Sequence, residues 1–307
     1  MAHLIAAPDP TSATLAEVCD ALAVWGFDPA EDESVAHAAN WLRRLGNDRD
    51  FLGDVLIDLL SGRAPASGGG GGLSGMGSGG GASNRVILAA PGRGHYSISA
   101  SIWPSADEQA LRASGPDVFG YGLARDYNHD FLTLGYFGPG ATFDEYEYLY
   151  PAVAGWSGEP VELRELGRSQ LERGQMIHCR AHRDVNVVHP PSALSVALTL
   201  SHEHAVNGWM DHYLFDLEQG RVARVLGHGP SETFLRIAVA LGGGEAVDLA
   251  TRFGRHHPSD RMRLVAWRAL AGAARGAEAQ ECVWREAERC GSRVVAATAA
   301  RRREMLA

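Results

Sequence analysis

The sequence predicts a mainly β fold with helical ends: a β-barrel flanked by an N-terminal helical cap and a C-terminal helical segment. Three observations predict it. Apolar residues recur at helical spacing before residue 66, short strand-like runs separated by turn residues fill 85–228, and helical spacing returns beyond 229. A glycine-rich linker over 67–84 joins the first two segments, so the expected division is 1–66, 67–84, 85–228 and 229–307.

In the N-terminal segment Leu15, Val18, Cys19, Leu22 and Trp25 share one helix face. Val35, Ala38, Ala39, Leu42 and Leu45 repeat the pattern, and Phe51, Leu52, Val55, Leu56, Leu59 and Leu60 give a third helix. Residues 67–83 read SGGGGGLSGMGSGGGAS, too glycine-rich for any single conformation to repay its ordering entropy. Strand-like runs follow, among them HYSISASIW, HDFLTLGYF, FDEYEYLYP, QMIHCRAH and SALSVALTLSH, with turn signals such as Gly138-Pro139-Gly140 and Arg173-Gly174 between them. Many short strands at close intervals predict a sandwich or barrel. Near the C-terminus Asp260, Met262, Arg263, Ala266, Ala269 and Leu270, after a helix expected over 245–254, are placed much as in a HEAT repeat. One such pair falls short of the three or more repeats a binding solenoid needs.

Composition removes several function classes. Hydrophobic residues make up 45% and charged residues 21%, ordinary for a globular chain. No apolar run approaches the ~20 residues that span a bilayer, which predicts a cytoplasmic protein without a membrane partner. A net charge of -9 speaks against nucleic acid, whose phosphates require a basic surface. All 28 cationic side chains are arginine, so Schiff-base, pyridoxal-phosphate and P-loop lysine chemistry is excluded. The four cysteines lack metal or disulfide spacing.

Two stretches carry candidate chemistry. In HCRAHRDVNVVHPPSALSVALTL, His182 is followed by Arg183 and Asn186, then a proline turn, then an apolar strand. In RDYNHDFLTLGYFGPG, Arg125, Asp126, Tyr127, Asn128 and His129 lead into a strand that ends at a glycine turn. The first stretch resembles the second motif of the cupin superfamily, in particular its cysteine dioxygenase-like branch. The second stands about fifty residues upstream, where cupins keep a His-x-His pair; here Arg125-Asp126-Tyr127 replaces that pair. The resemblance covers residues 90–228. It implies a cupin-like barrel holding Fe(II) or another divalent metal, and an oxygenase or oxidase acting on a small polar metabolite such as an amino-acid derivative.

Carried onto this chain, the resemblance makes His129 and His182 metal ligands, with a third among His202, Tyr127 and Glu147, the last two also being the candidate catalytic groups. Arg125, Tyr136 and Asn186 would bind substrate, Arg125 through the planar fork that suits a carboxylate. The run 143–150 should fold back on 130–137 through Gly138-Pro139-Gly140, bringing Glu147 toward His129. His202 also belongs to the chain's one His-x-His pair, with His204, which forms a rival site or a solvated strand end. The alternative function is a metal-free cupin-like binding or scaffold protein, altered at Arg125 and Tyr127. A small molecule is the expected partner in the first reading, and an oligomer is left open.

Overall fold

The computed structural model describes residues 3–5, 10–61, 84–90, 94–204, 207–208, 210–226 and 231–306; the glycine-rich stretch 67–83 lies outside them. The chain divides into two compact units, Met1–Leu149 with Glu162–His204, and Tyr150–Val161 with Ala205–Ala307. Among the described residues no helix is long and apolar enough to cross a membrane.

The first unit opens with strand β1 (His3–Leu4) and helices α1 (Leu15–Trp25), α2 (Asp32–Asn47) and α3 (Phe51–Leu60). Thr14 and Glu17 close a capping box at the start of α1, each satisfying a backbone N–H that the helix leaves orphaned. Strands β2 (Arg85–Ala89), β3 (Tyr96–Trp103), β4 (Phe131–Phe137), β7 (Met176–Cys179) and β9 (Ser195–His202) join β1 in a six-stranded sheet ordered β1-β7-β4-β9-β3-β2. A second sheet, β6-β5-β8, holds β5 (Thr142–Glu147), β6 (Arg164–Gln170) and β8 (Asp184–His189). A short helix α4 (Gln109–Ser114) lies between β3 and β4.

Strand alternation gives the six-stranded sheet two unlike faces. Ile98, Ala100, Leu132, Leu134, Met176, Leu198 and Leu200 form its outer face and pack on Val18, Leu22, Ala38, Leu42 and Leu45 of the helices. On the inner face Trp103, Ile177 and Ala197 pack on Phe143 and Val188 of the three-stranded sheet. The unit is therefore three layers: helices, large sheet, small sheet.

The expected barrel is corrected by this topology. Among the described residues the strands form separate sheets of six, three and two strands with no closed barrel, and helix exceeds strand, so the chain is mixed α and β rather than mainly β. The hairpin expected between 130–137 and 143–150 is absent too: β4 pairs with β7 and β9, and β5 pairs with β6 and β8. Gly138 and Gly140 explain the crossing. Both have φ near +80°, and a Cβ at Gly140 would overlap the Leu171 carbonyl, so the chain turns a tight corner from one sheet to the other.

The second unit contains the hairpin of β10 (Tyr213–Asp216) and β11 (Arg221–Val225), then α5 (Ser231–Ala240), α6 (Gly244–His256), α7 (Asp260–Ala273), α8 (Ala277–Glu288) and α9 (Arg293–Glu304). Helices α6 and α7 occupy the positions expected for the HEAT-like pair, which remains a resemblance. On α7 buried Ala266 belongs to one apolar cluster and buried Trp267 to a second, so the helix serves both. Buried Asp211 accepts hydrogen bonds from Arg261 Nε at 2.8 Å and Ser259 Oγ at 3.3 Å, tying the segment before β10 to the start of α7.

Leu200, fully buried between the large sheet and the helices, provides a test of this layering. Leu200→Ala is expected to cost about 2–5 kcal/mol in denaturant unfolding. A loss below about 0.5 kcal/mol, ordinary for surface positions, would contradict a helical layer over that face.

Candidate functional site

The inner face of the large sheet changes character along its strands. Below, Trp103 and Phe143 meet edge to face with centroids 5.7 Å apart, an apolar floor. Above it, register places Thr133 opposite Thr199 and Thr199 opposite Ser99. The next inner row runs Cys179, Phe131, Ser201, Ser97. Ser97, Ser99, Thr133, Cys179 and Ser201 are all buried.

Buried hydroxyls are costly unless bonded, and these are bonded. Arg85 from edge strand β2 donates through Nε to Ser99 Oγ at 2.7 Å and through a terminal nitrogen to Ser201 Oγ at 3.1 Å. Ser97 Oγ donates to Glu203 Oε1 at 2.7 Å, and the hydroxyls of Thr133 and Thr199 lie 3.3 Å apart. Burial pulls the Arg85 pKa below its ordinary value, and the charge of Glu203 opposes that shift.

The small sheet supplies the opposite wall. Glu145 and Asn186 face each other across β5 and β8, on the same side as Phe143 and Val188, hence toward the interior. Asn186 Nδ2 donates to Cys179 Sγ at 3.4 Å, joining the two sheets, and buried Glu145 accepts from Ser169 Oγ at 2.6 Å. Arg125 forms an antiparallel bridge with Asn186, with N–H···O bonds of 3.2 and 2.9 Å, so its side chain shares that inward direction. The Arg125 guanidinium lies 5.3 Å from the Tyr127 ring centroid, and Gly120 approaches it so closely that a Cβ there would crowd it. Arg125 Nε is buried with no hydrogen-bond partner.

Ionisation states follow from these surroundings. Burial pushes the Tyr127 phenol up, against the opposing pull of Arg125, so it stays protonated. Burial, reinforced by Asp184, also holds the Cys179 thiol well above its ordinary value, which removes it as a thiolate nucleophile. With the Cys179 thiol and the Tyr127 phenol both held protonated, these two side chains offer the interior hydrogen-bonding groups rather than nucleophiles.

The residues singled out by sequence are distributed unevenly. Arg125, Tyr127 and Asn186 are brought together at the polar end of the interior. His129 stands beside them, its ring 6.2 Å from Tyr127 and 5.8 Å from Phe131, with Nδ1 3.0 Å from Asn128 Oδ1. His182 occupies the turn between β7 and β8 with φ +56°, and its backbone N–H donates to Tyr127 O at 2.9 Å. His202 points the other way: it pairs with Tyr96 on the helix-facing side, and its ring meets Phe27 at 6.1 Å. Tyr136 also faces the helices, donating its hydroxyl to the carbonyls of Asp48 and Arg49 at 3.0 and 2.8 Å. Glu147 is shared among Arg164, Arg180 and Arg183, and the Arg164 hydrogen bond holds its carboxyl below the usual range.

Iron or a similar ion, implied by the sequence resemblance, needs three or more donors about 2.1 Å from one point. The donor set does not fit. Among the described residues no group of three or more His, Cys, Asp or Glu side chains is placed to hold a metal, and His202 is on the opposite sheet face from Phe131 beside His129. Arg85, Ser97, Ser99, Ser201 and Glu203 were not anticipated. Their signal was legible: Ser97, Ser99 and Ser101 alternate within YSISASIW and must share one face.

No protein-family model and no curated protein matches the chain. Among solved structures it is similar to hydroquinone 1,2-dioxygenase from Sphingomonas sp. TTNP3 with 4-hydroxybenzoate bound, at 17% identity and TM-score 0.25, over 40% of this chain and 67% of that one. The DMSP lyase DddQ from Ruegeria pomeroyi DSS-3 gives 12% identity and TM-score 0.22, over 39% and 47%. Vicilin from Corylus avellana gives 14% and 0.25, over 43% and 32%. None of these three is a cysteine dioxygenase. TM-scores this far below 0.5 transfer no activity to this chain.

The placement of His202 has a pH consequence. Burial lowers its pKa below the ordinary 6.5, so the unfolded chain binds the proton more readily than the folded one. Stability from this group is therefore complete above pH ~6.5 and falls as pH drops from there through the folded pKa. His202→Phe is expected to flatten the stability-pH curve below pH ~6.5 in denaturant titrations. An unchanged slope would place the imidazole in solvent.

Proposed function

We propose that the first unit is a metal-independent binding module for a small carboxylated metabolite, held between the two sheets at their polar end. One observation carries this reading: a guanidinium on the inward side of its strand with its Nε buried and unpartnered, in an interior whose other polar groups are hydroxyls, an amide, a thiol and the Glu145 carboxylate that Ser169 engages. Burying a donor unpaired costs about 1–3 kcal/mol, and an anion at that position relieves it. Arg125 is the anchor, through the bidentate geometry that guanidinium and carboxylate share.

The neighbouring groups have defined parts. Tyr127 holds the guanidinium from one side and, as a protonated phenol, donates to a ligand oxygen. Asn186 fixes the distance between the sheets through Cys179 and presents its amide beside Arg125. The Trp103 and Phe143 floor limits depth. Substrate binding by Arg125 and Asn186 is kept from the sequence reading, while Tyr136 serves the helical layer.

A mononuclear iron oxygenase, which the sequence resemblance implies, would use His129 and His182 and require a further donor. The two readings separate in one experiment. Calorimetric titration of the purified full chain with small carboxylates is expected to show 1:1 binding that Arg125→Met weakens at least about 30-fold, as loss of a charge-assisted pair requires. After anaerobic incubation with Fe(II) and gel filtration, fewer than about one chain in ten is expected to retain iron. Near-stoichiometric iron, or carboxylate affinity indifferent to Arg125→Met, would overturn the proposal.

A further inference from the structure

Three arginines gather at a corner of the first unit that the carboxylate reading does not use. Arg43 comes from α2, Arg49 from the link between α2 and α3, and Arg173 from the turn between β6 and β7. A terminal nitrogen of Arg43 lies 3.3 Å from where a Cβ on Gly174 would stand. The Gly174 N–H donates to the Gly135 carbonyl at 2.7 Å, and Arg173 forms a parallel bridge with Gly135. On the next residue the Tyr136 carbonyl accepts from a terminal nitrogen of Arg49 at 2.9 Å, and that guanidinium stands 5.6 Å from the Tyr136 ring centroid.

None of the three has a carboxylate partner among the described residues, whereas Arg164, Arg180 and Arg183 all converge on Glu147. Asp48, in the same link as Arg49, turns its Oδ1 to the backbone N–H groups of Asp50 and Phe51. Asp50 and Glu172, the chain neighbours of Arg49 and Arg173, form no ion pair among the described residues either. Arg43 Nε is buried with no hydrogen-bond partner. Burial lowers the Arg43 pKa with no opposing charge, and the charge of Arg173 adds to burial in lowering that of Arg49. Like charges therefore meet around an unpaired buried donor, in a chain whose net charge is -9. An anion at this corner relieves both costs.

We propose that this corner binds a phosphate group, free or as a soluble phosphomonoester, with Arg43 as the anchor and Arg49 and Arg173 as flanking donors. A phosphate brings about two charges and three acceptor oxygens, against one charge and two oxygens on a carboxylate, so it suits guanidiniums arriving from three segments. Arg49 uses one donor on the Tyr136 carbonyl and keeps others for a ligand. Tyr136 faces the helices, so the site lies on the opposite side of the large sheet from the polar interior and stands or falls independently of the carboxylate reading.

The test is calorimetric titration of the full chain at low ionic strength with inorganic phosphate and with glycerol phosphate. At least one is expected to bind saturably at 1:1, with affinity that falls as salt is added. Arg43→Gln and Arg173→Gln, each checked for folding by its thermal melt, are expected to weaken that binding about fivefold or more. Arg112→Gln, which removes an exposed guanidinium paired with Asp107, is expected to change it less than about twofold. Tighter binding of the ester assigns the site to a phosphorylated metabolite and tighter binding of inorganic phosphate to the free ion, and both support it. Absence of saturable binding of either ligand to the wild type, a result that needs no variant, would overturn the inference. So would an affinity unchanged in Arg43→Gln, or an equal loss in Arg112→Gln.

Discussion

Everything in the first unit depends on one sheet having two chemically opposite faces. Along β3, β4 and β9 one side carries mostly leucine, isoleucine, alanine and tyrosine, and the other carries serine and threonine beside Phe131, Trp103 and Ala197. At about 25 cal/mol per Å2, burying the apolar side against three helices supplies the stabilisation. That burial fixes the register, because a one-residue slip would turn the leucines away from the helices and bring serines and threonines against them. The polar inner face is then forced into the interior whether or not it finds partners. Arg85, Glu203 and Asn186 are the partners, and in the proposed reading the Nε that Arg125 leaves unpartnered is where a ligand would bind.

Much of this was legible in the sequence where local periodicity carries the information. The three N-terminal helices follow from 3.6-residue spacing, and the capping box at Thr14 fixes the start of the first. Most strands of the large sheet were visible as short runs bounded by glycine or proline. Asp184–His189 was not, because its polar residues and the following prolines read as a turn; it becomes a strand by pairing with Thr142–Glu147. Strand pairing itself was the main gap. Gly138-Pro139-Gly140 has the composition of a hairpin turn, and only the closeness of Gly140 to Leu171 shows that the chain changes sheets there.

The candidate site divides along the same line. Arg125, Tyr127 and Asn186 were found because their chemistry stands out in the sequence, and their inward direction needs only one bridge. His202 was grouped with His129 by residue type, yet strand parity with Leu198 and Leu200 already sends it toward the helices. Tyr136 follows the same parity with Leu132 and Leu134. Glu147 lies beside the interior but is committed to three arginines. With no lysine in the chain, its ion pairs rely on arginine or histidine, and forked pairs such as Arg180 with Asp184 hold strand ends rigidly.

The central claim is that Arg125 points into the sandwich with a donor that a ligand can take. The most direct measurement is the arginine Nε–H spectrum of 15N-labelled protein, with the Arg125 resonance assigned by its loss in Arg125→Met. The account predicts a protected Arg125 signal that shifts on adding a small carboxylate, while the arginines of the second unit stay in place. An Arg125 signal that exchanges as fast as a solvent-exposed guanidinium, or that ignores every carboxylate added, would contradict it.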